Sequence, residues 1–428
     1  MTTVTVLIPN YNRPQALSKA LYSIFLSIDN AKASDRVNVT VVDDYSTVDI
    51  SKAISPFRHR KNFTFVTQKT KCGNAEMAFL SALDYVGGTF VWLVGNDDQL
   101  MPHGVTALLK LIDNTDLGFI LLNPIIAGAS VTRPSTPIVA NSSVVIYPKT
   151  QDLFADFGFV TSTTTFSCIV AHTATLRAFH KEHRLTDHAK VYSHTFSLFC
   201  AHRQQPAAFI STPLTSFSLN EPSEETIKLA RQAPNRIMFY HQSIGLALLI
   251  RAAANASGLP IAHLGRCNED EIAKDDLRVW QIRLSSFLVF FSLQQMVEEQ
   301  REIKRSDAYH GYMSRADFDL LKSIVAAFEE DFLVRALDQA DDIYALSTQT
   351  PDWKINFIAS IQSEIRKYAK NTLLETACPV SSSATRKIAT QSFSTFPLRG
   401  QRADERGRIY AAPPPMPRIN TRDAVWVW

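Results

Sequence analysis

Five short apolar runs, each closed by polar residues and parted by helix-like stretches, constrain the first 122 residues more than any other feature. The runs are Val4–Ile8, Val37–Val42, Phe63–Val66, Phe90–Val94 and Phe119–Leu122. Continuous apolar runs of this length read as strands buried on both faces. Between the first two, Leu17, Leu21, Ile24, Phe25 and Ile28 recur at helical steps behind Pro14, a residue suited to a first helical turn. Further helical patterns cover 49–57, 74–86 and 103–113. Such alternation predicts an α/β fold, a mainly parallel, Rossmann-like sheet with helices on both faces. Right-handed crossovers bring the strand ends to one edge, where ligands of such sheets bind.

Beyond residue 122 the pattern loosens. Short strands are expected at 143–147, 166–171, 207–211 and 214–218, and helices at 150–157, 173–181 and 192–203. After Ser223 the chain reads as helical. Leu277, Trp280, Leu284, Phe287 and Phe291 step by three or four, as do Phe357, Ile361, Ile365 and Tyr368. Ser314 with Asp317 has the spacing of a capping box. The last fifty residues hold six prolines and eight Lys/Arg against three Asp/Glu. They cannot bury enough apolar surface to offset ordering entropy, so a disordered basic tail is expected. The resulting division is 1–222, in halves 1–122 and 123–222, then a helical domain 223–375 and a tail 376–428.

Lys and Arg number 44 against 41 Asp and Glu, so composition gives no reason to expect a nucleic-acid partner. Cys72, Cys168, Cys200, Cys267 and Cys378 are odd in number, widely spaced and without a C-x-x-C, which points to reduced thiols. No charged leader with an apolar core precedes Val4, so no signal peptide is expected. Ile237–Ala254 and Phe287–Val297 are too polar or too short to span a bilayer. A cytoplasmic protein is the expectation, with peripheral membrane contact through the basic tail left open.

Three polar loops fall at the strand ends: Pro9-Asn10-Tyr11-Asn12-Arg13, Asp43-Asp44-Tyr45-Ser46-Thr47 and Gly95-Asn96-Asp97-Asp98. Between the last two, Lys71-Cys72-Gly73-Asn74-Ala75 enters a helix whose free N–H groups can face an anion. Carboxylates at a sheet mouth suit a hard divalent cation across a diphosphate, or hydrogen bonds from a base or ribose. A lone Asp-Asp at a strand end more often caps a helix or makes a turn. Three such loops in order carry more weight. A nicotinamide dehydrogenase needs Gly-x-Gly-x-x-Gly after the first strand, but no glycine precedes Gly73 and no Gly-x-Gly occurs anywhere. A sugar-phosphate nucleotidyltransferase wants a Gly-rich phosphate loop there, which Asn10–Arg13 is not. A non-catalytic binding protein of the same fold is the alternative from another class.

The stretches VTVLIPNYNRP, VVDDYST, KCGNAEMAFLSAL and VWLVGNDDQLMPHG resemble the donor half of family 2 glycosyltransferases of the GT-A fold, most closely over Val4–Gly104. The resemblance implies an inverting transfer of a sugar from a nucleotide-diphosphate-sugar donor to a hydroxyl acceptor, with Mg²⁺ or Mn²⁺. The acceptor would be a saccharide or a lipid-linked sugar of cell-surface polysaccharide or glycolipid synthesis. Residues 1–122 become the nucleotide-binding half and 123–222 the acceptor half. Pro9, Asn12 and Arg13 would lie around the nucleotide, Asp43 or Asp44 would hold the base, and Asn74 would lie near ribose and phosphates. The family's Asp-x-Asp metal motif falls on Gly95-Asn96-Asp97, so the first acid is missing and Asp97 is the expected ligand. The register Asn96-Asp97-Asp98 would instead make Asp98 the ligand. In the preferred register Asp98 is expected to point toward the following helix. The family's general base lies in the acceptor half; Asp187 is the candidate here, with His188 and His194 nearby. His180, His183 and His188 read as surface residues rather than a metal site.

Overall fold

The computed structural model describes residues 2–72, 75–126, 129–130, 144–157, 166–189, 191–217, 241–261, 264, 284–286, 288–297, 300–301, 314–328, 331–345, 350–377 and 409–411. Parallel pairing of the first apolar runs levels their ends. Strand β1 (Val4–Asn10) pairs in parallel with β2 (Val37–Asp43) and with β4 (Phe90–Leu93), and β2 pairs in parallel with β3 (Phe63–Thr67). The register sets Asn10 opposite Asp43 and Leu7 opposite Leu93. The polar loops after β1, β2 and β4 therefore open at one edge, as the alternation predicts.

The remaining strands are β5 (Gln99–Leu100), β6 (Phe119–Ile126), β7 (Ala129–Ser130), β8 (Val144–Tyr147), β9 (Ile169–His172), β10 (Ala207–Phe217) and β11 (Ile409–Ala411). Among the described residues the sheet order is β11-β8-β10-β6-β9-β4-β1-β2-β3, with β5 on β10 and β7 on β6. Strand β9 lies antiparallel between β4 and β6, while β6 and β10 pair in parallel. The result is a mixed, mostly parallel sheet. Two expected strands, 207–211 and 214–218, are one strand, β10, whose register against β6 shifts between Ile210 and Thr215. The expected strand 166–171 begins instead as a 3-10 turn, Phe166–Cys168. That turn delivers Ser167 to the loop edge.

Helix α1 (Pro14–Ala31) buries Leu17, Leu21, Ile24, Phe25 and Ile28, the face its spacing predicts. Each such side chain contributes roughly 1.5–3 kcal/mol on burial. The first half continues through α2 (Ser51–Ile54), α3 (Ala75–Ala82) and α4 (Gly104–Asn114). Helices α5 (Thr150–Phe157), α6 (Thr173–His183) and α7 (Ser193–His202) follow. Helix α3 lies against α7, a contact that joins the two halves of the sheet domain.

The C-terminal region is helical, with α8 (Leu246–Ser257), α9 (Arg315–Ala326), α10 (Asp331–Ala345) and α11 (Pro351–Ala377). The Ser314–Asp317 capping box forms as its spacing predicts, each side chain meeting the other's backbone N–H. The tail read as disordered lies outside the described residues except at Thr376 and Ala377, which end α11, and at Ile409–Ala411, which pairs antiparallel with β8. No sequence signal marks those three residues as a strand. Among the described residues no helix is long and apolar enough to cross a membrane.

Candidate functional site

The loops after β1 and β2 are laced together by side chains that have no role in the core. Asn10 donates from Nδ2 to Asp43 Oδ1 at 2.8 Å. Asp43 also accepts the Ser46 hydroxyl at 2.6 Å and the Ser46 N–H at 2.9 Å. Asn12 sits in the left-handed region at φ 53°, a conformation that asparagine tolerates better than most residues. From there its Oδ1 accepts the Thr47 N–H at 2.7 Å, and its own N–H donates to Ser46 Oγ at 2.9 Å. A short polar side chain at each point turns two strand ends into one rigid platform.

Asp43 and Asp44 divide the work that the sequence leaves undivided. Both are buried, at 3% and 4% exposure. Asp43 is engaged within the two loops, whereas Asp44 Oδ1 accepts the Cys72 N–H at 2.6 Å and so reaches the loop after β3. Lys71, beside it, stands 3.6 Å over the Tyr11 ring, a cation–π contact that ties that loop back to the first. Burial raises the Cys72 thiol above its ordinary value, which keeps it protonated and a poor nucleophile. Asn74 lies outside the described residues.

The loop after β4 is built around the absence of a side chain at Gly95. A Cβ there would lie 2.9 Å from Asp98 Oδ2 and 3.1 Å from Asp97 Oδ1, so both carboxylates converge on the space an acid at 95 would need. Asp97 is ion-paired with the Arg13 guanidinium, and both side chains remain partly exposed. Asp98 does not point toward the following helix as expected. It turns back and accepts the Ser167 hydroxyl at 2.5 Å, while Ser167 Oγ accepts the Gly95 N–H at 2.8 Å. Asn96 closes the set by donating to Asn10 Oδ1 at 2.9 Å. Pro9, Asn12, Arg13, Asp43, Asp44, Asn96, Asp97 and Asp98 thus share one sheet edge.

Oxygen donors converging at the end of a buried strand fit Mg²⁺ or Mn²⁺, which prefer such ligands. Among the described residues no group of three or more His, Cys, Asp or Glu could hold a metal ion. Two carboxylates alone, one facing a guanidinium and the other a hydroxyl, fit an ion that shares its ligands with phosphate oxygens and water.

Asp187 lies elsewhere, on the 3-10 turn Leu185–Asp187. Its side chain is 60% exposed and faces Arg184 at 3.6 Å, without a described contact to the three loops. Nearer to them is a pair that local pattern does not reveal. Glu76, in the first turn of α3, accepts the Tyr192 N–H at 3.0 Å and lies 3.5 Å from His194 Nδ1. Ser167 and Glu76 are both contributed across long sequence separations.

Two enclosed groups pull the acid stability in opposite directions. Burial pushes the Glu76 carboxyl from 4.5 up to about 7, so through that window the folded state keeps a proton the unfolded chain has lost. Stability from Glu76 therefore falls as pH rises from 4.5 to about 7. Burial pushes His202 from 6.5 down to about 4, so there the unfolded chain holds the extra proton and stability rises with pH. Each effect is on the order of 3 kcal/mol. The two oppose each other, and Glu76→Gln is expected to make the melting temperature climb more steeply with pH through this range than it does in wild type. Parallel curves for the two proteins would contradict the burial of Glu76.

Residues 5–195, the span that contains all of these loops, match the family model described as Glycosyl transferase family 2. No curated protein matches the chain. Among solved structures, S. aureus TarS residues 1–349 is 13% identical with a TM-score of 0.46, covering 87% of this chain and 92% of that one. The same protein in complex with UDP-GlcNAc is 13% identical at a TM-score of 0.43, covering 77% and 92%. The mannosyltransferase PcManGT from Pyrobaculum calidifontis, in complex with GDP-Man and Mn²⁺, is 15% identical at 0.38, covering 87% and 85%. At such scores these likenesses say nothing about individual residues.

Proposed function

From the glycosyl transferase family 2 domain that the chain carries over residues 5–195, we propose an inverting transfer of a sugar from a nucleotide-diphosphate-sugar to a hydroxyl acceptor. The observation that supports it most is the convergence of Asp97 and Asp98 on the space above Gly95, beside two loops already locked together. Domain 1–222 carries the reaction in this reading, its first half binding the donor and its second the acceptor. Pro9, Asn12 and Arg13 border the nucleotide. Asp43 or Asp44 holds the base, Asp43 beside Asn10 and Ser46 and Asp44 beside the Cys72 N–H. Asn74 serves the ribose and phosphates, and Asn96 keeps the metal loop in register with β1.

Asp97, with Asp98 behind it, would hold Mg²⁺ or Mn²⁺; a bound ion would neutralise charge on the departing diphosphate. Arg13 supplies a second positive charge at the same point. The platform of buried hydrogen bonds keeps these groups from relaxing, so little reorganisation is needed when charge develops. Asp187 is the proposed general base, taking the proton of the acceptor hydroxyl as it attacks from the face opposite the diphosphate. Its exposure leaves it open to an incoming acceptor. The acceptor is a saccharide or lipid-linked sugar, and the pathway cell-surface polysaccharide or glycolipid synthesis. The basic tail offers an anionic membrane surface up to about 1 kcal/mol for each Lys or Arg near it.

The full chain, incubated with UDP-GlcNAc or GDP-mannose and Mn²⁺, tests this by release of nucleoside diphosphate. Release that needs both Mn²⁺ and Asp97 supports transferase chemistry. Tight binding without any release, even with added saccharide acceptors, favours a binding protein of the same fold.

A further inference from the structure

One carboxylate outside the donor loops links the helix after β3 to the turn into α7. Glu76 stands in the first turn of α3, four residues after Cys72. Its Oε1 accepts the Tyr192 N–H at 3.0 Å and lies 3.5 Å from His194 Nδ1 in the first turn of α7. Tyr192 itself is held at φ 63°, where a side chain is strained, so the turn into α7 needs an outside hold. The Glu76–Tyr192 hydrogen bond is such a hold.

On its other side the His194 ring packs on Phe166, with ring centroids 4.6 Å apart. The next residue, Ser167, binds both Gly95 and Asp98. A continuous path therefore runs from the loop after β3 through Glu76, His194 and Phe166 to the loop after β4. It also joins the donor half to α7 of the acceptor half. His194 is 1% exposed and the Glu76 side chain 15%, so the path is internal and neither group is placed to touch a substrate. The titratable groups facing Glu76 are His194 from α7 and the Tyr192 phenol from the turn before it. Among the described residues no Lys or Arg is ion-paired with Glu76 to fix its charge.

We propose that Glu76 is a positioning residue for the transfer reaction, holding His194 and the Tyr192 turn so that the acceptor half stays aligned with the donor loops. This rests on the transferase reading above. A carboxylate–imidazole pair can hold zero, one or two protons, and the coupled pair titrates as a unit. Alignment is best with one proton shared between Glu76 and His194. Losing it leaves a buried anion facing a neutral ring, and adding a second leaves an imidazolium without a carboxylate. Burial, which pushes Glu76 up to about 7, brings that titration into the working range.

Glu76→Gln and His194→Asn test this. The amide introduced by Glu76→Gln keeps an oxygen for the Tyr192 N–H, and the one introduced by His194→Asn keeps a donor where Nδ1 stood. Neither altered pair can carry the single titrating proton that the proposal gives the native pair. Both variants should turn over donor roughly 10–100-fold more slowly with donor KM unchanged, the scale of a small misalignment. Wild type should show a limb near neutral pH, and both variants should lose it. Histidine-labelled full chain should show the His194 resonance, assigned by its loss in His194→Asn, titrating at a different pH in Glu76→Gln. An unmoved His194 titration, or a Glu76→Gln pH profile equal to wild type, overturns the proposal. If wild type turns over none of a panel of uridine, guanosine, cytidine, adenosine and thymidine diphosphate-sugars, the transferase reading has failed, and an unmoved His194 resonance then disproves the pairing on its own.

Discussion

Replacing Asp97 with alanine is expected to abolish the effect of Mn²⁺ on nucleotide-sugar binding while leaving the fold intact. Strand β4 is buried along its whole length, so its end is a rigid mount, and Asp97 hangs from it on the solvent side. A partly exposed surface ion pair such as Arg13–Asp97 contributes no more than about 1 kcal/mol to stability. The melting temperature should therefore barely change. The ligand is different, because without Asp97 an ion has Asp98 alone, and Asp98 is buried against Ser167. Asp98→Ala should act by another route, removing the buried acceptor of the Ser167 hydroxyl that in turn holds the Gly95 N–H, and so should cost stability as well as binding. Calorimetric titration of UDP-GlcNAc with and without Mn²⁺ into both variants separates the two. A metal effect kept by Asp97→Ala and lost by Asp98→Ala, with the Asp98→Ala fold unharmed, would move the ligand one residue along.

Asp187→Asn is expected to lower turnover by roughly 10²–10⁴, the usual worth of a positioned base, with donor affinity unchanged. The side chain is exposed and its ion pair is with the exposed Arg184, so the substitution should not disturb folding. Binding and turnover are then cleanly separable. A kcat equal to wild type would remove Asp187 from the mechanism. The acceptor hydroxyl would then lose its proton elsewhere in the acceptor half.

The parts of this architecture that were legible in sequence are those set by local pattern. Apolar runs gave the strands β1 to β4, helical spacing gave the buried face of α1, and parallel pairing brought Asn10, Asp43 and Gly95 to one edge. Contacts between distant side chains carry no such period. The orientation of Asp98 depends on Ser167, 69 residues away, on a 3-10 turn where a strand was expected. Glu76 finds Tyr192 across 116 residues. In its own stretch, Asn74-Ala75-Glu76-Met77, it looks like any acid in a first helical turn, where the helix dipole favours one. Gly95 was legible as a departure from Asp-x-Asp, but not as the residue whose missing Cβ leaves room for two carboxylates. The three-residue strand on β8 had no signal in a tail of that composition.

Metal-dependent stabilisation of the unmodified chain by a nucleotide-sugar tests the central claim most directly. Any ligand that binds only the native state raises the melting temperature, by about 2.7 kcal/mol of stability at a hundred times its Kd. At least one nucleotide-diphosphate-sugar of a panel spanning uridine, guanosine, cytidine, adenosine and thymidine donors should raise it with Mn²⁺ or Mg²⁺ present. The same compound should do little when EDTA removes the ion. A panel in which no donor shifts the melting temperature with either ion would contradict a nucleotide-sugar site at this sheet edge.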